Sequence, residues 1–300
     1  MVVVRALRRG AALAVLAGVV LLLTACVGGP APSAGPSPPR GPSASPSHPT
    51  QWPTAETTGV PAGTDLTASR GLTVTRAGSV IKGRDIAGNV TIRAPRVTIE
   101  NSRITGKVEV ESTGAVLRRV EIIGPGVSGA QEPAVGWANF TCDACNVHGW
   151  GQAFYMEDNV TIKNSWVHDL SISGDPGNGG SHNEAVFTRG GTNFIITGNR
   201  FDSGTAPNFS AAVALYGQEE AVTNTLVQGN LFNGGGYCLY AGFDSGLEPS
   251  NARFIGNTFG NSKYPNCGKF GAAVAYFAGN GNQWLDNVMI DGSAVEPPTG

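Results

Sequence analysis

Apolar positions in the second half of this chain return in a fixed phrase: Val97-Thr-Ile-Glu-Asn-Ser-Arg-Ile104, Val160-Thr-Ile-Lys-Asn-Ser-Trp-Val167, Phe194-Ile-Ile-Thr-Gly-Asn-Arg-Phe201 and Phe254-Ile-Gly-Asn-Thr-Phe259. With Ser102 as anchor, the equivalent positions are Val120, Cys145, Ser165, Asn199, Asn230, Asn257 and Asn287, at intervals of 18, 25, 20, 34, 31, 27 and 30 residues. A short β unit recurring at such a period is the mark of a solenoid. Three residues before each anchor stand Ile99, Leu117, Cys142, Ile162, Ile196, Val227, Phe254 and Trp284, and two after stand Ile104, Ile122, Val147, Val167, Phe201, Phe232, Phe259 and Met289. Both columns are apolar throughout. Inward positions an odd number apart cannot share one face of a straight strand, so the chain turns a corner at the anchor. A further β-like run, Glu184 to Thr188, Ser210 to Leu215, Tyr237 to Ala241 and Gly271 to Tyr276, supplies a third strand per coil. Three parallel sheets around one core follow.

At the corner, Asn199, Asn230, Asn257 and Asn287 would lie about 4.8 Å apart and bond side chain to side chain, since buried amides need partners. The 43 glycines suit tight corners. The repeat resembles the right-handed parallel β-helix superfamily of pectate-lyase-like fold, and within it the β-helix lipoproteins of actinobacteria, from about Asp65 to Asp291. The resemblance implies an all-β, single-stranded right-handed parallel β-helix over residues 61–292, with a short tail at 293–300. It implies no single function, because the superfamily includes lyases, hydrolases, adhesins and binding proteins.

Residues 1–25 have a different character. Arg5, Arg8 and Arg9 precede an uncharged apolar run of signal-peptide size that ends in Leu23-Thr-Ala-Cys26, which resembles a lipobox. Acylation of Cys26 would hold the protein on the extracytoplasmic face of the cell membrane. The segment 26–60 is rich in Pro, Ser and Gly, cannot bury a core, and is expected to be a semi-extended tether. Four cysteines remain for the exported domain. Cys238 and Cys267 fall about one coil apart and are expected to form a disulfide. Cys142 and Cys145 are either a second pair or, since Cys142 occupies an inward column, packed thiols.

Formal charge is −2, but it is unevenly spread. Ten of the twenty Lys and Arg residues lie between Arg70 and Arg119 against four acids, whereas from Val120 onward six bases face sixteen acids. This split would either draw an anionic polymer to the early coils or serve as a solvated surface. Nucleic acid is disfavoured, because no basic aromatic motif is present and the later coils are acidic. A monomer is expected.

The longest interval holds His168-Asp169, the loop Ser173 to Gly180, and Ser181-His-Asn-Glu184. Insertions in a solenoid gather on one face. Three residues after the anchor stand His148, His168, Asp202 and Asn233, a polar column across four coils. Related β-helix proteins carry His-Asn-Asp-Gly-Ile where this chain has His182-Asn183-Glu184-Ala185-Val186, and an acid where it has Gln152. For β-elimination on an acidic polysaccharide, Arg189 or Ca²⁺ on Asp169, Asp175 and Glu184 could neutralise a uronate carboxylate, with His182 or His168 as base. Hydrolysis would need two carboxylates, for which Asp175 with Glu184 is the obvious pair. Tyr155, Phe187, Tyr216, Tyr240 and Tyr276 offer rings for sugars to stack on, with His148 beside them, or else belong to the core. The alternative to a lyase is a non-catalytic module that binds glycan or protein at the cell surface.

Overall fold

The structure, a computed structural model, describes residues 51–298. Cys26, the apolar leader and most of the proposed tether lie outside the described residues. The remainder is a right-handed parallel β-helix with three sheets. The first sheet stacks Phe140–Asp143, Val160–Lys163, Phe194–Thr197, Val222–Gln228, Ser250–Ile255 and Gln283–Leu285. The second stacks Asn146–His148, Trp166–Val167, Arg200–Asp202, Leu231–Asn233, Thr258–Phe259 and Val288–Met289. The third stacks Pro133–Trp137, Gln152–Tyr155, Asn183–Thr188, Phe209–Leu215, Tyr237–Ala241 and Gly271–Val274. Earlier coils continue all three sheets through Thr67–Val74, Arg84–Ile92, Thr98–Thr105 and Ala115–Ile123, longer strands that bend through the corners.

The corner inferred from the odd spacing has a backbone cause. The residue before each anchor is left-handed: Asn101, Arg119, Ala144, Asn164, Gly198, Gly229, Gly256 and Asp286 have φ between 47° and 64°. One such residue redirects the strand and restores the inward face on its far side. Both predicted inward columns are fully buried from Ile99 to Phe254 and from Ile104 to Phe259. Fully burying one such side chain contributes roughly 1.5–3 kcal/mol. In the later coils the second column becomes a stack of rings, Phe201 on Phe232 at 6.1 Å and Phe232 on Phe259 at 5.3 Å.

The asparagine ladder is present with the intervals read from the chain. Asn199 Nδ2 donates to Asn230 Oδ1 at 3.0 Å, Asn230 Nδ2 to Asn257 Oδ1 at 3.0 Å, and Asn257 Nδ2 to Asn287 Oδ1 at 2.9 Å. Each of these oxygens also accepts the backbone N–H of the preceding anchor. Ser165 begins the series, its Oγ accepting from Cys145 N at 3.0 Å. An exposed second ladder joins Asn139, Asn159 and Asn193, and then Asn224 and Asn251, at a left-handed corner on the other side of the first sheet.

Both disulfides form in the interior. Cys238–Cys267 links neighbouring coils with a Cα separation of 6.0 Å, and Cys142–Cys145 closes a corner. The wider loop constrains the unfolded chain more, by roughly 3.5 against roughly 1.5 kcal/mol from loop closure. At the ends, chain segments lie on the solenoid. Arg119 donates to Thr57 O and Glu56 O, and Gly59 N donates to Ala144 O at 2.9 Å. Beyond the last strand, Val295 N donates to Asn287 O, and Trp284 Nε1 donates to Val295 O at 2.6 Å.

Because each buried group left unpaired costs about 1–3 kcal/mol, Asn230→Ala is expected to remove at least about 3 kcal/mol of stability. Asn251→Gly, which strips a side chain from the exposed ladder and keeps the left-handed turn easy, should cost under about 1 kcal/mol. Urea denaturation of the two variants would show the difference; equal midpoints would rule out the inner ladder as the stabilising one.

Candidate functional site

The polar column three residues past the anchor runs along the end of the second sheet. His148 and His168 stack at 5.0 Å, and Trp166 lies 3.9 Å from His168. His168 Nδ1 meets Asp169 Oδ2 at 2.7 Å and its Nε2 meets Asn146 Oδ1 at 2.9 Å. Burial lowers the His168 pKa, with His148 adding to it against the opposing pull of Asp169. Both ring nitrogens are thus engaged, and neither is free to take a proton from a substrate. His148 sits 3.6 Å from Glu121, and with Arg103 it brings the Glu121 carboxyl down to about 2 despite burial. Asp202 accepts from Trp166 Nε1 at 2.9 Å and from Asn233 Nδ2 at 2.8 Å, and pairs with Arg200 at 2.7 Å. Trp166, His168, Asp169, Arg200 and Asp202 border a cleft of about 410 Å³ that also reaches Phe209 and Lys263.

Glu184 belongs to a different place, the start of the third sheet. It follows Asn183, whose buried Nδ2 donates to Ala130 O, Gly151 O and Ser171 O while its Oδ1 accepts from Ser181 Oγ. Asn208 Nδ2 similarly donates to Gly174 O and Ser181 O. Two amides therefore staple the long loop onto the coil, and Asn183 in the His182-Asn183-Glu184 run is a clamp. Glu184 is 3% exposed. Gln152 Nε2 donates to its Oε2 at 3.3 Å and Tyr216 Oη to its Oε1 at 3.5 Å, with Ser210 a further partner. These neutral donors only partly offset desolvation, which pushes the carboxyl up to about 7. Burial and the charge on Glu184 in turn push the Tyr216 hydroxyl up.

Beside Glu184 runs a continuous row of rings along the outer face of the third sheet. Trp137 meets Tyr155 at 5.0 Å, Tyr155 meets Phe187 at 5.0 Å, Phe187 meets Tyr216 at 6.0 Å, and Tyr216 meets Tyr240 at 5.1 Å. Tyr237 and Phe270 extend it at 5.7 and 5.8 Å. Trp137 is 40% and Phe270 64% exposed, and the rings between them are half-buried. Tyr276 does not join the row. It is buried against Phe254 and Trp284, in the core. Trp137, Tyr237 and Phe270 were not singled out from the chain. The signal available for Trp137 was its place beside Gly136, where the outward position of that coil has no side chain.

The remaining expected site residues scatter. The His182 imidazole is exposed and makes no hydrogen bond or ion pair among the described residues. Arg189 pairs with Glu219 at 2.9 Å and lies over Phe187. Asp175 is exposed at the head of a short 3-10 turn, its carboxyl lowered by Gly177 N and Asn178. Asp169 is 86% exposed on its side chain. Among the described residues no three His, Cys, Asp or Glu side chains are grouped to hold a metal ion. Asp169 and Asp175 are exposed, whereas Glu184 is buried at the start of its strand. The pair of acids implied by the resemblance is reduced to one carboxyl facing an amide. Set against family models, curated proteins and solved structures, the chain matches none of them.

The buried acid predicts a pH dependence. Its pKa rises on folding from about 4.5 to about 7. Below about pH 4.5 it is protonated in both states and has no effect on stability. As pH rises toward 7 only the unfolded chain releases the proton, so stability falls, by roughly 3 kcal/mol in all. Glu184→Gln should lose this slope and be the more stable protein at pH 8. Denaturation midpoints from pH 4 to 8 that ran parallel for the two proteins would exclude the assignment.

Proposed function

We propose that this chain is an extracytoplasmic β-helix, held to the membrane by lipid on Cys26, whose third sheet binds a polysaccharide lying along the solenoid axis. The ring row carries this reading. Its members are partly exposed, touch one another over several successive coils, and follow the axis along which an extended polymer would lie. A sugar's C–H face packs on such rings without burying charge. Two interior disulfides support an oxidising compartment, in line with the leader and the Cys26 motif.

A second reading is favoured by one observation, the carboxyl of Glu184 near 7 at the edge of the row. A half-protonated acid can take and return a proton at neutral pH. In β-elimination it would remove the proton beside a uronate carboxylate as the glycosidic C–O bond breaks and a C=C bond forms. Binding is the preferred reading, because Arg189 is committed to Glu219 and no second acid faces Glu184.

Calorimetric titration of the full-length protein in detergent tests the proposal. Trp137→Ala and Tyr155→Ala should each weaken oligosaccharide binding roughly two- to tenfold, as expected for the loss of about 0.5–1.5 kcal/mol of ring stacking. Ile195→Ala, exposed on the first sheet, should leave it unchanged. Unaltered affinity in both ring variants would remove the row from the site. A rise in ultraviolet absorbance on polyuronates, with or without Ca²⁺, that disappears in Glu184→Gln would favour the lyase instead.

A further inference from the structure

We infer that the polysaccharide taken by the third sheet carries free amines, as a glucosamine polymer does, because a ridge of carboxylates follows one edge of the ring row. This inference rests on the row being a glycan surface. The ridge comes from the turns that leave successive third-sheet strands. Glu157 and Asp158 follow Gln152–Tyr155, Arg189 follows Asn183–Thr188, and Glu219 and Glu220 follow Phe209–Leu215. Glycines let these turns stack closely. A Cβ on Gly191 would meet Glu157 O at 2.6 Å, and one on Gly190 would collide with Glu220 O. Arg189 O accepts from Glu219 N at 2.8 Å and Glu220 N at 3.3 Å, which ties these two turns together, and Asp158 Oδ1 accepts from Thr192 N at 2.9 Å, which ties the first turn to the second.

These turns thus carry four acids and one cation, Arg189, which already pairs with Glu219. The crowding is visible in Glu157, whose carboxyl is held above its ordinary range by burial and then by Asp158, Glu219 and Glu220. The same charges reach the rings. Tyr155 is raised by burial first and by Glu157 and Glu219 next, and Tyr240 by burial first and, among the carboxylates, by Glu184 and Asp244. Lys269, over Phe270 at 5.3 Å, balances only the far end of the row.

A polyuronate laid on these rings would meet like charge along its length, and a neutral glycan would gain nothing from the ridge. An amine-bearing chain would stack its sugar faces on the rings and set its ammonium groups against Glu157 and Asp158. Its attraction is a sum of partly exposed pairs, so it is sensitive to salt.

The test compares three oligosaccharides of equal length on the full-length protein in detergent at about pH 6, where amines are charged and most carboxylates ionised. They are a glucosamine oligomer, its N-acetylated counterpart and a galacturonate oligomer. The glucosamine oligomer should bind at least about tenfold tighter than the acetylated one at low salt, and the gap should close as salt is raised. Glu157→Gln with Asp158→Asn should abolish the preference and leave the acetylated oligomer's affinity unchanged. Equal binding of the amine and acetylated forms, or tightest binding of the galacturonate, would overturn the inference while the ring row stood as a glycan site. Binding of none of the three would overturn both.

Discussion

A buried amide at the corner between the first and second sheets holds the rest of this molecule in register. No water is needed there, because each asparagine's partners come from the coils on either side. The Nδ2 of Asn230 donates to Ile196 O in the preceding coil and to Asn257 Oδ1 in the next, while its Oδ1 accepts both the N–H and the Nδ2 of Asn199. Two donors and two acceptors are all used. An unpaired buried amide would be costly, so a one-residue slip in any coil is penalised at the corner before it disturbs the core. The left-handed residue before each anchor makes the corner possible, and the amide makes it specific.

That local rule explains how the chain tolerates an interval of 34 residues between Ser165 and Asn199. The extra residues leave between the second and third sheets, and register is recovered on both sides. Asn183 and Asn208 apply the same principle to the loop itself, satisfying loop and strand carbonyls with buried amides. Their effect on the candidate site is direct. Asn183 pins the start of its strand, which sets Glu184 between Gln152 and Tyr216 in a place that water does not reach. Position, rather than any partner charge, is what raises its pKa.

Much of the scaffold was legible because it repeats. The two inward columns, the corner and the asparagine ladder all recur at one offset from one anchor, so each coil checks the others. The site was harder to read, for a physical reason. His148, His168 and Asp202 were correctly aligned by their offset, but alignment does not disclose that Asn146 and Asp169 occupy both nitrogens of His168. The ring row is only partly periodic. Tyr155, Phe187 and Tyr240 each follow an inward residue of the third sheet, whereas at Gly136 and Ala214 that outward position has no ring. Trp137 and Tyr216 fill the two gaps from neighbouring positions. Tyr276, which looked like the next member, turns into the core once its strand ends at Val274.

The presence of Gln152 beside Glu184 decides what kind of chemistry the third sheet can support. Two carboxyls in hydrogen-bond contact in a dry site cannot both ionise, and they share one proton, which makes such a pair both acid and base. An amide in place of one of them removes that second titration. Gln152 then acts only as a donor to Glu184, and with Tyr216 and Ser210 it supports the ionised form without neutralising it. The remaining acid can hold or release one proton, but nothing beside it can take that proton away. On the proposed reading the linked rings hold an extended chain, and any reaction on that chain would depend on Glu184 alone.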